Sequence, residues 1–335
     1  MLKEKGMQAG QEMMKRLSIR NFKSVRNLEL ACERINIFIG EPNTGKSNIL
    51  EAIGLLSFLF YGSFAPTPPL LEKFVRFESM INLFYDENLE EKIEIESDLG
   101  VLNIEFDGDF RIKWKDKLRV TADYRGVRER FSGIEELRAF KFYRFEVLDS
   151  FPRREPSFLL PPAGENLLTV LMTHKDLRKF VSEVFRKFGL RVVLKPQEDK
   201  IEVQKEIEDV VIAHPYALCS ETLQRIIFYL TAIKTNKDSI IAFEEPESHA
   251  FPYYTKYLAE RIALDKNNNQ FFISTHNPYF LLPLVEKAQD VAVFITFMED
   301  YQTKVKKLSS EEIECMLDTG MDVFFNIEHF LEQNE

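Results

Sequence analysis

The sequence predicts an α/β protein with a mainly parallel core sheet, into which an antiparallel β meander and a helical segment are inserted. Three observations predict it. The apolar run Arg34-Ile-Asn-Ile-Phe-Ile-Gly40 ends at a glycine and passes at once into a helical pattern. Two later runs, Ser239–Phe243 and Gln270–Ser274, are continuously apolar and of strand length, as in a sheet covered on both faces. Between the first run and these two lie short stretches that alternate apolar and polar residues, the pattern of strands with one wet face.

Each segment follows in order. Residues 1–13 are polar and unpatterned, and read as a disordered tail. Residues 14–72 hold the first part of the core: strands at Leu17–Ile19 and Asn27–Leu30, the run to Gly40, and an apolar helix that Ala65-Pro-Thr-Pro-Pro69 ends. Residues 73–155 form the inserted antiparallel region, with alternating runs at Lys92–Ser97, Leu102–Phe106 and Phe110–Val120. Residues 156–214 supply one or two helices between Asn166 and Lys187, then strands at Leu190–Leu194 and Lys200–Val203. Residues 215–335 return to α/β character, with a buried helix face over Glu221–Ile233. They end in C-terminal helices, one opened by the capping box Ser309-x-x-Glu312 and stopped at Gly320.

Composition narrows the function classes. The chain has 335 residues, 45% hydrophobic and 29% charged, which excludes disordered, collagen-like and disulfide-scaffold proteins. A net charge of −10 argues against a surface coated in positive charge, although a local basic strip stays compatible with it. Cys32, Cys219 and Cys315 are odd in number and widely spaced, as in a reduced chain without structural zinc. No signal peptide and no membrane-spanning stretch is visible, so a cytoplasmic protein away from membranes is expected. His174, His214 and His329 lack ligand-spaced companions, and structural or surface roles are expected of them.

Three motifs carry chemistry. Gly40-Glu41-Pro42-Asn43-Thr44-Gly45-Lys46-Ser47, with Asn48 after it, matches the phosphate-binding loop Gly-x₄-Gly-Lys-Ser/Thr. Its glycines let successive N–H groups point at phosphate oxygens, and the following helix adds the positive end of its dipole. Lys46 is placed to reach the β- and γ-phosphates, and the Ser47 hydroxyl to bind Mg²⁺. The second motif is a buried strand ending in Glu244-Glu245-Pro246-Glu247. One carboxylate there holds magnesium and the next orients or deprotonates the attacking water; taken alone, the same residues also suit a solvated acidic turn. The third is Thr275-His276 at the end of another apolar strand, where a γ-phosphate sensor falls if the strands align their C-terminal ends.

These residues resemble the ATP-binding-cassette (ABC) class of P-loop ATPases, and within it the group of RecF, the SMC heads and the OLD-family ATPases. Leu17-Ser-Ile-Arg-Asn-Phe-Lys-Ser24 resembles that group's first strand and turn. Glu244-Glu-Pro-Glu-Ser-His249-Ala-Phe-Pro252 is similar to the OLD-type motif, and Leu160-Pro-Pro-Ala-Gly-Glu-Asn-Leu167 to a segment preceding its helical region. The resemblance, spanning about residues 14–320, implies a two-lobed head of which two copies sandwich ATP and Mg²⁺. By position it makes Glu245 the catalytic carboxylate, Glu244 the magnesium-side acid and His276 the switch histidine. Two departures stand out. The place of the family's Ser-x-Gly signature loop, which acts in trans, is held by Cys219-Ser220-Glu221, with no glycine. No Gln occurs between Gln11 and Gln197 to serve as the usual metal contact.

The meander carries one further pattern. Arg111, Lys113, Lys115, Lys117 and Arg119 occupy alternate positions, so a single strand would point all five to one face. The face suits either a solvated surface with acidic neighbours such as Glu94 and Glu96, or a contact to nucleic acid or an acidic partner.

The leading expectation is therefore an ATPase that dimerises around ATP and Mg²⁺ and couples this to DNA transactions or to an effector, in repair, recombination or genome defence. The alternative is an ATP-gated switch without turnover that assembles with a nuclease or toxin partner. A transporter subunit fits poorly, because the meander and the acidic motif are foreign to it. The chain has no long coiled coil and only about sixty residues after His276, so a nuclease is expected as a separate chain.

Overall fold

The computed structural model describes residues 13–62, 71–130, 134–319 and 323–332. The expected tail, the proline-rich helix end at 65–69 and the helix stop at Gly320 lie outside the described residues, apart from Met13.

The first hairpin pairs β1 (Arg16–Phe22) with β2 (Val25–Ala31), turning through Lys23 and Ser24. Leu17, Ile19 and Phe22 are fully buried. β3 (Ile35–Ile39) is buried at every position and leads through the glycine loop into α1 (Lys46–Tyr61). In α1 every residue but Ser47 and Asn48 is buried, so its hydrophobicity is that of a core helix.

β4 (Ile93–Ser97), β5 (Gly100–Asp107), β6 (Asp109–Trp114), β7 (Lys117–Asp123) and β8 (Gly126–Arg130) follow as an antiparallel meander. They are not a separate insert. β4 pairs with the open edge of β1, giving one seven-stranded sheet in the order β2-β1-β4-β5-β6-β7-β8. The 73–155 boundary also cuts through the core, because β9 (Phe140–Tyr143) runs parallel to a core strand rather than joining the meander.

Next come α2 (Leu167–Thr173) and α3 (Lys175–Arg186), then β10 (Arg191–Lys195), β11 (Lys200–Ile207) and β12 (Val210–Pro215), a three-stranded antiparallel sheet. The fully exposed β12 has no buried face to mark it in the sequence. The last part alternates α4 (Glu221–Thr235), β13 (Ile240–Glu244), α5 (Pro252–Ala263), β14 (Gln270–Ser274) and α6 (Pro278–Lys287). It closes with β15 (Val291–Glu299), β16 (Gln302–Lys307), α7 (Ser310–Thr319) and α8 (Ile327–Glu332). The capping box forms as expected: Ser309 N donates to Glu312 Oε2 (2.7 Å) and Glu312 N to Ser309 Oγ (3.1 Å).

The central sheet has the order β16-β15-β3-β14-β13-β9. Four of its neighbour pairs are parallel, and β15–β16 is antiparallel. Across all three sheets the pairing is largely antiparallel, so a mainly parallel core does not describe the molecule. The reason is that the meander and hairpins bring many more strands than the βα units do. Phe38, Phe272 and Phe294 face α1 and the seven-stranded sheet, while Ile37, Ile39, Phe243 and Ile273 face α2–α6. The central sheet is thus covered on both sides, as its continuous apolar strands require.

The basic run does not form one face. Lys115 and Asp116 both have left-handed backbone (φ 48° and 61°) and make the β6–β7 turn, so the five residues divide between two strands and a turn. Lys113 is ion-paired with Glu105, Arg111 with Asp107 (2.9 Å) and Lys115 with Glu136 (2.6 Å). Acidic neighbours do share the charge, but not the expected Glu94 and Glu96. Lys117 lies on β7 beside the turn, and Arg119 is partly buried further along it.

Candidate nucleotide-binding site

The register of three parallel strands builds the site. Phe38 pairs with Ser274, which pairs with Glu244, so the glycine loop, the acidic pair and Thr275-His276 leave the same end of the sheet side by side. Pro42 to Asn48, Glu245, His276, Ser24, Arg76 and Met298 line one cavity of about 480 Å³. The structure therefore gathers the loop, Glu245 and His276, as the strand-end reasoning expected. Gly40 and Glu41 lie at the loop's root, with their carbonyls turned to Lys46.

The loop rests on residues no motif reveals. Gly40 has φ +144°, and a Cβ there would fall 2.2 Å from the Thr296 carbonyl oxygen; at Gly45, φ +93°, it would fall 2.0 Å from Thr303 Oγ1. Only glycine permits this approach of β15 and β16. Thr44 and Thr296 share a hydroxyl hydrogen bond (2.7 Å), as do Ser24 and Thr303 (2.7 Å), and Asn48 Nδ2 donates to Ser24 Oγ (2.7 Å). The polar Thr296 within the apolar run Val291–Phe297 is the one sequence signal of this support.

Lys46 is folded onto the loop, its Nζ donating to the carbonyls of Gly40 (2.8 Å) and Glu41 (2.7 Å). Burial pushes its ammonium down to about 8, against the pull of Glu245 and Glu41. These two bonds are the ones a phosphate would replace.

Glu245 sits at φ +41°, an uncommon conformation for a non-glycine residue. Its Oε1 lies 3.2 Å from His276 Nε2, and Ser248 Oγ donates to its Oε2 (3.0 Å). The hydrogen bond with His276, outweighing burial, holds the carboxyl below its usual range, so it is ionised at neutral pH. An ionised carboxylate paired with an imidazole at a cavity wall can accept a proton from water. Glu247 clasps the two turns together. It is buried, its Oε1 accepts from the Thr275 hydroxyl, its Oε2 has no partner among the described residues, and burial pushes its carboxyl up to about 7.

Glu244 is placed differently. It ends β13 beside the cavity, and both its oxygens are engaged: Oε1 by Arg76 Nη2 (2.7 Å) and Oε2 by Arg144 Nε (3.2 Å). The same guanidiniums reach the fully buried Glu51 of α1, through Arg76 Nε (2.9 Å) and Arg144 Nη2 (2.9 Å), and Lys23 caps its other oxygen. Arg76, Arg144 and Glu51 escaped the sequence reading because isolated charges in loops and helices carry no spacing signal.

Cys219, Ser220 and Glu221 stand at the start of α4, away from this cavity. Cys219 and Ser220 line a second, apolar cavity of about 770 Å³ with Phe185, Leu218, Phe251 and Tyr254. Glu221 pairs with Arg225 (2.7 Å). Among the described residues no cluster of His, Cys, Asp and Glu is arranged to hold a metal by itself, and no helix is long and apolar enough to cross a membrane.

Comparison with known proteins decides the family. Residues 13–215, more than half of the chain, match the AAA ATPase domain family. The chain belongs to that family. The matched span contains the glycine loop, while the acidic pair and His276 lie beyond it. Among solved structures, the chain is similar to an SMC head bound to the C-terminal winged-helix domain of ScpA, at 18% identity and TM-score 0.54. That alignment covers 90% of this chain and 99% of the other. It is also similar to the Pyrococcus furiosus SMC head domain with an extended coiled coil, bound to the C-terminal domain of ScpA. There the identity is 14% and the TM-score 0.53, with 92% of this chain and 99% of that one covered. No curated protein matches the chain. The family match makes this an ATPase-domain chain, and its fold is similar to that of SMC heads, in keeping with the resemblance the motifs carry.

Proposed function

We propose that the chain binds and hydrolyses ATP with Mg²⁺, that two copies close on the nucleotide, and that this cycle serves DNA or an effector protein. What carries the reading is the meeting of the phosphate-binding loop, Glu245 and His276 around one cavity. Lys46 exchanges its loop carbonyls for the β- and γ-phosphates, and the loop N–H groups hold the remaining oxygens. Glu245 takes the proton of the attacking water, while His276 orients Glu245 and senses the γ-phosphate.

Ser47 and Glu244 are the residues that would hold Mg²⁺. Both offer the oxygen donors it takes, and Ser47 faces the cavity. Glu244 fits once its guanidinium partners yield an oxygen. The ion, when bound, neutralises charge building between the β- and γ-phosphates. The Cys219–Glu221 loop takes the place of the trans contact in the closed dimer, with the helix start at Ser220 facing the partner's phosphate and the Glu221 carboxylate, paired with Arg225, opposing it. An effector docking on the head is in keeping with the partner-bound SMC heads of the same fold.

The reading is tested by light scattering of Glu245→Gln with and without ATP, beside wild-type turnover with and without duplex DNA. ATP-dependent doubling of mass and turnover raised by DNA are expected. A monomer under all conditions overturns the dimer, and turnover indifferent to DNA removes DNA as the output. A second reading, a switch gated by ATP binding without turnover, draws on two features: the glycine-less 219–221 loop and the engagement of Glu244 by two arginines.

A further inference from the structure

Five charged side chains from separate segments meet beside the nucleotide cavity: Lys23 from the β1–β2 turn, Glu51 from α1, Arg76 from the loop before β4, Arg144 after β9, and Glu244 at the end of β13. Three cations face two carboxylates. Glu51 lies one helical turn beyond Ser47, on the same face of α1, so the cluster sits directly beside the loop serine.

The two arginines make the same bridge but are not equivalent. Arg144 is 19% exposed, its guanidinium lies 5.0 Å from the Phe142 ring centre, and its backbone N–H donates to the Pro162 carbonyl (3.1 Å). Arg76 is 57% exposed and forms part of the nucleotide cavity wall. If Arg76 leaves, Glu51 keeps Lys23 and Arg144, and Glu244 keeps Arg144 on Oε2 while its Oε1 comes free. The cluster can release this one cation without orphaning a buried charge.

We propose that Arg76 is the resting counter-cation of Glu244, displaced by Mg²⁺ when the metal arrives with nucleotide, so that Arg76 sets how strongly metal and nucleotide binding are coupled. The inference rests on the nucleotide-binding reading above. A guanidinium and a divalent ion at Glu244 Oε1 repel each other as like charges and compete for the same carboxylate, and that oxygen already lies 2.7 Å from Nη2. Part of the affinity Mg²⁺ adds to the nucleotide complex is therefore spent on breaking this ion pair. In Mg²⁺-free solution Arg76 stays on Glu244 and shields incoming phosphates from the carboxylate.

The test is the ratio of dissociation constants for a slowly hydrolysed fluorescent ATP analogue, measured in EDTA and in saturating Mg²⁺. Arg76→Ala should raise that ratio at least about tenfold, about 1.4 kcal/mol of added coupling. Arg76→Lys, which keeps the charge but cannot bridge two carboxylates, should raise it by less. In a Glu244→Gln background the effect of Arg76→Ala should vanish, because the competition runs through that carboxylate. A ratio unchanged in both Arg76 variants, or a rise that persists with Gln at 244, overturns the inference while leaving nucleotide binding intact. No binding by wild type under either condition overturns the nucleotide reading itself and this inference with it.

Discussion

Glu51→Gln should cost far more stability than a change beside a nucleotide loop ordinarily does. The carboxylate is fully buried and accepts from Lys23 Nζ, Arg76 N (3.2 Å), Arg76 Nε (2.9 Å) and Arg144 Nη2 (2.9 Å). Glutamine keeps the shape and one acceptor oxygen, but it removes the negative charge and turns an amide N–H₂ toward a cation. Arg76 is mostly exposed, so its loss of partner counts for little. Lys23 and Arg144 are 12% and 19% exposed and cannot regain full hydration. Two charge-assisted hydrogen bonds at about 1.5–3 kcal/mol each give a loss on the order of 4 kcal/mol, within the range for breaking a buried ion pair. In urea, with a slope of roughly 2–3 kcal/mol per molar, the unfolding midpoint should fall by about 1–2 M. Far-ultraviolet circular dichroism follows it, with Arg76→Ala as the control expected to cost under about 1 kcal/mol. A Glu51→Gln midpoint within about 0.3 M of wild type would refute the claim that the buried ion pairs of Glu51 stabilise the fold.

Three other outcomes are expected. Nucleotide affinity should weaken as pH rises above about 8, by up to about tenfold per unit, because buried Lys46 then loses the proton that phosphate binding needs; isothermal titration across pH 7–9.5 checks the sign. Gly45→Ala should abolish measurable nucleotide binding and cost roughly 1–3 kcal/mol, since its Cβ strikes Thr303 and the backbone there is left-handed. Glu247 carries a carboxyl raised from 4.5 to about 7 by burial, so the folded state holds an extra proton between those values. Its contribution is full below about 4.5 and is lost as pH rises to about 7, so Glu247→Gln should be ~1–3 kcal/mol more stable than wild type at pH 8 and close to it at pH 5, by urea unfolding at both.

What the sequence showed was local. Gly40–Ser47 is legible because strand, glycine turn and helix are consecutive, and the acidic pair and Thr275-His276 because each ends a continuous apolar run. Their meeting needed only parallel register, which the Phe38–Ser274–Glu244 pairing supplies. Thr303, Arg76 and Arg144 were illegible because their roles depend on chain crossings that periodicity does not encode, and Thr296 shows only as a polar break in an apolar run. The basic run failed for the opposite reason. Its alternation is real, but Lys115-Asp116 turns the chain, and a turn signal in the middle of a pattern outweighs the pattern.

The most direct measurement separates binding from chemistry at the proposed centre: ATP affinity and steady-state turnover of wild type, Glu245→Gln and His276→Ala. Affinities within about threefold of wild type, with turnover down by at least about 100-fold in Glu245→Gln and less in His276→Ala, are predicted for a general base oriented by the imidazole. Turnover in Glu245→Gln equal to wild type would contradict the account, because it would place hydrolysis somewhere other than the cavity formed by Lys46, Glu245 and His276.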